Sequence, residues 1–481
     1  MQVRNLEPNS LWNHFADLNA VPRASKKEER VIQFMMDFGK SLNLETFKDE
    51  AGNVFIKKPG SKGFEGRPTI IMQSHLDMVH QKNTSSDFDF ATQGIDMVVD
   101  GDWVKANGTT LGADNGIGVA TIMSLLASTD IDHPPIEALF TIDEETGMTG
   151  ALELKGGMLS GNILLNLDTE DDTELTIGCA GGVDFTATRP SESESVPENM
   201  LAYKITVNGL NGGHSGMDIH KGLGNANKLM NRMLWKANEE YGLRIAEIDG
   251  GGLRNAIPRE SFAVVCVPKD QAVEWQNHFE ERATEIIDEY TANDSGLVIA
   301  FEETEMPEAV ISENVHRKVL AAVYAAHNGI YRMSPNIDDL VQTSNNVARV
   351  LVNTEKCEVL CLTRSSVDSE KFDLVDSIRA GFEMAGFTIA LGGLYPGWTP
   401  APKSELVEMM KGLYEELFDS KPQVMACHAG LECGIISTNY PHLDMISFGP
   451  NIRGAHSPDE KCQISSVQKY WKYLLEALKR I

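Results

Sequence analysis

Short apolar runs alternate with amphipathic stretches through the first third of this chain. Thr69-Ile-Ile-Met-Gln-Ser, Ile136-Glu-Ala-Leu-Phe-Thr-Ile and Asn162-Ile-Leu-Leu-Asn-Leu each read as a buried strand, and Asn53-Val-Phe-Ile-Lys as another. Between them Val31, Phe34, Met35 and Phe38 fall at i, i+3, i+4 and i+7, which predicts one apolar helical face. Leu11 to Leu18 predicts a short helix ending near Pro22. Ser25-Lys-Lys-Glu28 has the capping-box pattern, and a further helix is expected from about Ile117 to Ser128. Strands that are apolar throughout, separated by helices, predict an α/β fold whose central sheet is mixed, mostly parallel, and covered on both faces.

The composition changes at Ala187 to Asn199, rich in Ser, Glu and Pro, and again at Gly392-Gly-Leu-Tyr-Pro-Gly-Trp-Thr-Pro400. These breaks predict a discontinuous domain of residues 1–184 and 398–481, interrupted by an inserted α+β lid of residues 185–397. Inside the insertion, strand Glu260 to Val267, helix Ala272 to Tyr290 and strand Gly296 to Glu302 are echoed further on. The echo is strand Lys356 to Thr363, helix Ser369 to Ala385 and strand Phe387 to Leu391, which suggests a lid of two similar lobes. Beyond Pro400 the α/β pattern returns: helix Ser404 to Phe418, strand Val424 to His428, strand-like Leu443 to Pro450, and an amphipathic helix from Val467.

A length of 481 residues exceeds one ordinary domain, and 42% hydrophobic with 23% charged residues is a globular composition. The formal net charge of -28 argues against a nucleic-acid partner, which needs a basic patch. Met1 to Ser10 lacks the pattern of a signal peptide, and no run approaches the ~18 apolar residues of a membrane span. Seven scattered cysteines without a Cys-x-x-Cys pair fit a reducing cytoplasm.

The candidate chemistry collects where strands end. Glu144 and Glu145 close one strand run, and His75, Asp168 and, after a short loop, His456 follow three others. Side chains on a strand alternate faces, so Glu144 and Glu145 at its end point in different directions, and one can bind a metal while the other faces what the metal activates. An acidic pair after a strand is also a common solvated turn, and only the other residues raise it above that. Asp114 sits on a glycine turn before a helix, suited to presenting both oxygens outward. Two histidines and three carboxylates suit zinc, or cobalt or manganese, and five donors suit two ions sharing a bridging carboxylate. Asp77 follows His75 by two residues and can accept its other ring N–H. His428 and Glu432, at i and i+4, could also bind a metal; they are read as supporting residues. His80, His133 and His442 read as surface or core histidines.

Ser74-His-Leu-Asp-Met-Val, Gly108-Thr-Thr-Leu-Gly-Ala-Asp-Asn-Gly, Thr141-Ile-Asp-Glu-Glu-Thr-Gly, Asn211-Gly-Gly-His-Ser-Gly and Gly454-Ala-His-Ser-Pro together resemble the carboxypeptidase-G-like dizinc metallopeptidases. Arg254-Asn-Ala-Ile-Pro-Arg-Glu, Tyr395-Pro-Gly-Trp and His428-Ala-Gly-Leu-Glu-Cys-Gly look like the bacterial cytosolic dipeptidases of that superfamily. The resemblance implies one ion on His75, Asp114 and Asp168 and another on Asp114, Glu145 and His456. It implies Glu144 as general acid/base with Asp77 behind His75, and a cis peptide at Asp114-Asn115. His214 would approach the scissile carbonyl, Arg364 would grip the substrate carboxylate, and Asn255 would help to bind substrate. The activity implied is hydrolysis of unblocked dipeptides, including those ending in histidine, by a cytoplasmic homodimer in which His214 acts in its own chain or across to the partner. An N-acyl-amino-acid deacylase or tripeptidase of the same fold, or a metal- or peptide-binding protein without activity, are the competing readings.

Overall fold

The computed structural model describes residues 2–481 and divides into two compact units. The first comprises Met1–Gly178, Trp398–Ala426 and Leu431–Ile481; the second comprises Cys179–Gly397 and Cys427–Gly430. The first break therefore falls a few residues before the expected 184, and a short piece at 427–430, expected with the C-terminal segment, belongs to the inserted unit. Long-range backbone bonding explains that piece: Ala180 N–H donates to the carbonyls of both Cys427 and Ala429 at 3.0 Å.

The first unit is built on an eight-stranded mixed sheet. Its order is Glu45–Lys48, Val54–Lys58, Ile136–Thr141, Ile70–His75, Ile163–Asn166, Asp444–Ser447, Glu174–Cys179 and Gln423–Cys427. The four central strands run parallel. Ile70–His75 and Ile136–Thr141 are buried at every position, because helices cover both faces and no residue can look to solvent. One cover is Ala113–Ala127, buried around nearly its whole circumference and packed on the Ile70–His75 strand and on helix Asn9–Asn19. In register His75 lies opposite Thr141 and Gln73 opposite Asn166, so the chain leaves all three strands on one side of the sheet. In parallel α/β sheets that side carries the functional crevice.

The expected capping box is not formed. Helix Glu29–Ser41 starts at an N-cap of Glu28 with no side-chain cap bond, and the Ser25 hydroxyl donates instead to Asp77 Oδ2 at 2.8 Å. The fully buried Asp77 carboxylate thus takes the hydroxyl that the local pattern would have turned toward a backbone N–H.

The second unit is built on one nine-stranded antiparallel sheet and also holds two two-stranded sheets. Eight strands lie in the order Val298–Glu303, Met200–Asn208, Ser261–Pro268, Arg244–Gly251, Val341–Val352, Lys356–Ser365, Gly181–Pro190 and Thr388–Tyr395, and Gly329–Met333 pairs onto Val341–Val352. The sequence echo is visible as two matching three-strand edges about the central pair. Helix Ala272–Tyr290 belongs to one edge and Asp368–Met384 to the other. Among the described residues no helix is long and apolar enough to cross a membrane, and no disulfide forms.

Candidate active site

Asp114 is the centre of the first unit's polar cluster. Its Oδ1 lies 3.1 Å from His75 Nε2 and its Oδ2 lies 3.2 Å from His456 Nε2, so its two oxygens face different imidazoles. His75 Nε2 is also 3.5 Å from Asp168 Oδ1, and His456 Nε2 is 3.0 Å from Glu145 Oε2. The five donors thus form two groups that share Asp114. Donors ~2.1 Å from one tetrahedral zinc would lie about 3.4 Å apart, close to the spacings found here. Glu145 Oε1 and Asp168 Oδ1 are buried with no hydrogen-bond partner among the described residues, which is costly for a carboxylate oxygen that binds nothing. The Asp114-Asn115 peptide is cis.

Charge balance also suits cations. Burial opposes a charged His75, yet Asp168, Asp114 and Asp77 hold its pKa well above the usual range. Hydrogen bonds to Asp114 and Glu145 raise His456 to about 11. Burial pushes against an ionised Asp114, but the bonds from His456 and His75 outweigh it and keep its pKa low. Burial raises Asp168 to about 6. Without metal, the imidazoles carry the positive charge that the carboxylates require. Divalent ions on the same donors would replace those protons.

Glu144 belongs to neither donor group. It and Glu145 sit in a turn past the end of the strand at Thr141, so strand alternation is not what separates them. The turn is held by Asp143, buried at a positive φ of 56°, which bonds Lys26, Thr146 and Thr149. Asp77 then fixes the backbone: its Oδ1 accepts the Glu144 N–H at 3.0 Å and its Oδ2 the Glu145 N–H at 3.3 Å. Asp77 Oδ1 also lies 3.4 Å from His75 Nδ1, and the Asp77 carbonyl is 3.2 Å from the same nitrogen. One fully buried carboxylate therefore orients a histidine donor and both glutamates. Burial raises the Glu144 carboxyl well above its ordinary pKa; His75 opposes this, and the charges of Asp168, Glu432 and Glu145 reinforce it. A carboxylate with high proton affinity beside a metal site suits an acid/base role.

Beneath the donors lies a buried polar layer that the strand pattern only hinted at. Asn166 Nδ2 donates to Gln73 Oε1 at 2.5 Å, and Gln73 Nε2 donates to Glu432 Oε2 at 2.6 Å; the Thr141 hydroxyl also donates to that oxygen at 2.6 Å. Gln73 and Asn166 are the polar interruptions of otherwise apolar runs, and each precedes a metal-competent residue by two positions. His428 and Glu432 do not act as an i, i+4 pair. The helix begins at Glu432, and His428 belongs to the second unit, where its Nε2 lies 2.7 Å from the Ser344 hydroxyl.

In the second unit, His214 Nδ1 accepts the backbone N–H groups of Gly216 at 3.2 Å and Met217 at 2.9 Å. That bonding leaves the ring proton on Nε2, as a donor. Burial and the Arg364 charge lower the His214 pKa, so the ring is neutral. Arg364 is 5% exposed; its Nη1 donates to the Tyr395 hydroxyl at 2.7 Å, its Nη2 is 3.5 Å from His214 Nε2, and its Nε is buried without a partner among the described residues. Tyr395 was legible only as part of a resemblance motif. Asn255 contributes its carbonyl, which accepts the Ser215 N–H at 2.7 Å, while the residue itself is exposed.

Residues 71–480 match the model of peptidase family M20/M25/M40. The chain is 39% identical over 480 residues to the cytosol non-specific dipeptidase of Escherichia coli (strain K12), covering 100% of this chain and 99% of that one. It is similar to the crystal structure of aminoacylhistidine dipeptidase from Vibrio alginolyticus, with a TM-score of 0.95, 41% identity, and coverage of 100% of this chain and 98% of the other. Aminopeptidase PepT from Bacillus cereus shares the fold at a TM-score of 0.57 and 15% identity, covering 98% of each chain. With the family model spanning most of the chain and a relative aligned over its full length, this protein belongs to peptidase family M20/M25/M40.

Proposed function

We propose that this chain is a cytoplasmic metallo-dipeptidase that hydrolyses unblocked dipeptides, including those with C-terminal histidine. Peptide hydrolysis follows from the family; the dipeptide preference is supported by full-length similarity to two dipeptidases. The observation that carries the mechanism is Asp114, whose two oxygens face two separate donor groups beside an uncommitted Glu144. One group is His75, Asp114 and Asp168, and the other is Asp114, Glu145 and His456; each would hold one divalent ion, with zinc the best match to the donors. When bound, the pair of ions supplies the positive charge that acidifies a water and polarises the scissile carbonyl.

The protein's own groups do the rest. Glu144 takes the proton of the attacking water and returns it to the leaving amine. The Nε2–H of His214 donates to the carbonyl oxygen as negative charge develops there. Arg364 grips the substrate carboxylate with its planar fork, while Tyr395 holds the guanidinium from one side, and Asn255, whose carbonyl accepts the N–H of Ser215 next to His214, assists in binding substrate. Selection of a free C-terminal carboxylate by Arg364 favours short substrates.

The activity is tested by comparing a free dipeptide, its N-acetyl form and a tripeptide. Turnover should be greatest for the free dipeptide; activity confined to the acetylated compound would replace this reading with a deacylase, and preference for the longer peptide with a tripeptidase. We further propose a homodimer. Sedimentation at micromolar concentration should return twice the mass of one chain, and a single-chain mass would refute it.

A further inference from the structure

Glu460 has no part in the reaction described above, yet it is 2% exposed and lies four residues beyond His456. Its carboxylate accepts four consecutive backbone N–H groups. Oε2 takes those of Leu111 at 2.7 Å and Gly112 at 2.9 Å, and Oε1 takes those of Ala113 at 2.7 Å and Asp114 at 3.2 Å. A buried carboxylate needs its lone pairs filled, and here the whole supply comes from the turn that carries the shared aspartate.

The same turn is held from its carbonyl side by Arg23, a guanidinium only 2% exposed. Arg23 Nη2 donates to the Gly112 carbonyl at 2.5 Å, and its Nη1 to the carbonyls of Leu76 and Asp77 at 3.2 and 3.1 Å. Gly112 has a φ of 69°, and a Cβ there would lie 2.5 Å from Arg23 Nη2, so only glycine admits this approach. At the other end of the Glu460 segment, His456 adopts a φ of 63°, an uncommon conformation for a residue with a side chain. Its loop is closed by Ser457, whose N–H and hydroxyl both donate to Gly454 O and whose carbonyl accepts the Glu460 N–H at 3.1 Å.

We infer that Glu460 is a positioning residue that joins the Asp114 turn and the His456 loop into one rigid support for the ion on Asp114, Glu145 and His456. It rests on the two-ion reading above. His75 ends one parallel strand, and Asp168 follows its neighbour by two residues, just past the Leu167 N–H bond to Gln73 O at 3.1 Å, so neither depends on Glu460 for its place. Loss of the Glu460 carboxylate therefore falls unevenly on the two ions, whereas general destabilisation would weaken both alike.

The test is a titration of metal-free protein with Zn2+ against a chromophoric chelator, fitted with two dissociation constants. His456→Ala, which removes one donor from one group, identifies the constant that belongs to that group. In Glu460→Gln one oxygen becomes an amide that faces backbone N–H groups, and the constant on the His456 side should rise about 10- to 100-fold, the usual cost of losing a group that orients metal ligands. The constant on the His75 side should rise clearly less. Glu460→Asp keeps the charge but reaches fewer donors, and should show the same asymmetry in smaller measure. Unchanged constants, equal weakening of both ions, or failure of both variants to fold would each overturn the inference. A wild-type protein that binds a single ion would overturn the two-ion reading on which it rests.

Discussion

Glu144→Gln should lose about a hundred- to ten-thousand-fold in kcat for a free dipeptide while retaining both metal ions. The substitution keeps shape and removes only the ability to take a proton. Metal retention is expected because Glu144 makes none of the close contacts that define the two donor groups, which run through His75, Asp114, Asp168, Glu145 and His456. Placement should persist as well, since the Glu144 backbone is anchored by its N–H on Asp77 Oδ1, not by its side chain. A loss of that size corresponds to about 3–5 kcal/mol in the barrier. Steady-state kinetics with metal content measured by atomic emission on the same samples checks it. Turnover within tenfold of wild type, with both ions present, would remove Glu144 from the proton-transfer role.

How far the sequence reaches is shown by the same glutamates. That a strand run ends in Glu144 and Glu145, and that three other runs end near His75, Asp168 and His456, is a local pattern and was readable. The parallel sheet turns this pattern into a site, since it delivers those ends to one side. The reason first offered for separating the two glutamates does not hold: they lie in a turn shaped by Asp143 and pinned by Asp77. Ser25 makes the same point. Its local spacing promised a helix cap, but its hydroxyl serves Asp77, 52 positions away in the chain. Local propensity could not reveal this, because the competing acceptor exists only once the sheet has formed. Glu460 was invisible for the same reason: its four donors lie about 350 positions earlier. Gln73 and Asn166 carried a signal that the sequence analysis did not use: polar residues placed where a covered strand has no solvent to offer.

Arg364→Ala should lower kcat/KM for a free dipeptide by about 30- to 1000-fold, the range expected when one partner of a buried charge pair is truncated. The guanidinium is nearly buried; its one good side-chain hydrogen bond goes to the Tyr395 phenol, and the neutral His214 ring 3.5 Å away turns a donor nitrogen toward it. An arginine so placed, with its Nε unpartnered, has charge and donors left for an anion. Arg364→Lys should recover little of the loss, since a point charge on a flexible stem does not reproduce the planar fork. The discriminating substrate is the dipeptide C-terminal amide, which has no carboxylate to grip. Wild type should handle it poorly, and Arg364→Ala should handle it almost as well as wild type, so that the two losses are not additive. If the variant instead loses as much on the amide as on the acid, Arg364 supports the second unit's framework through Tyr395, and another group must recognise the substrate carboxylate.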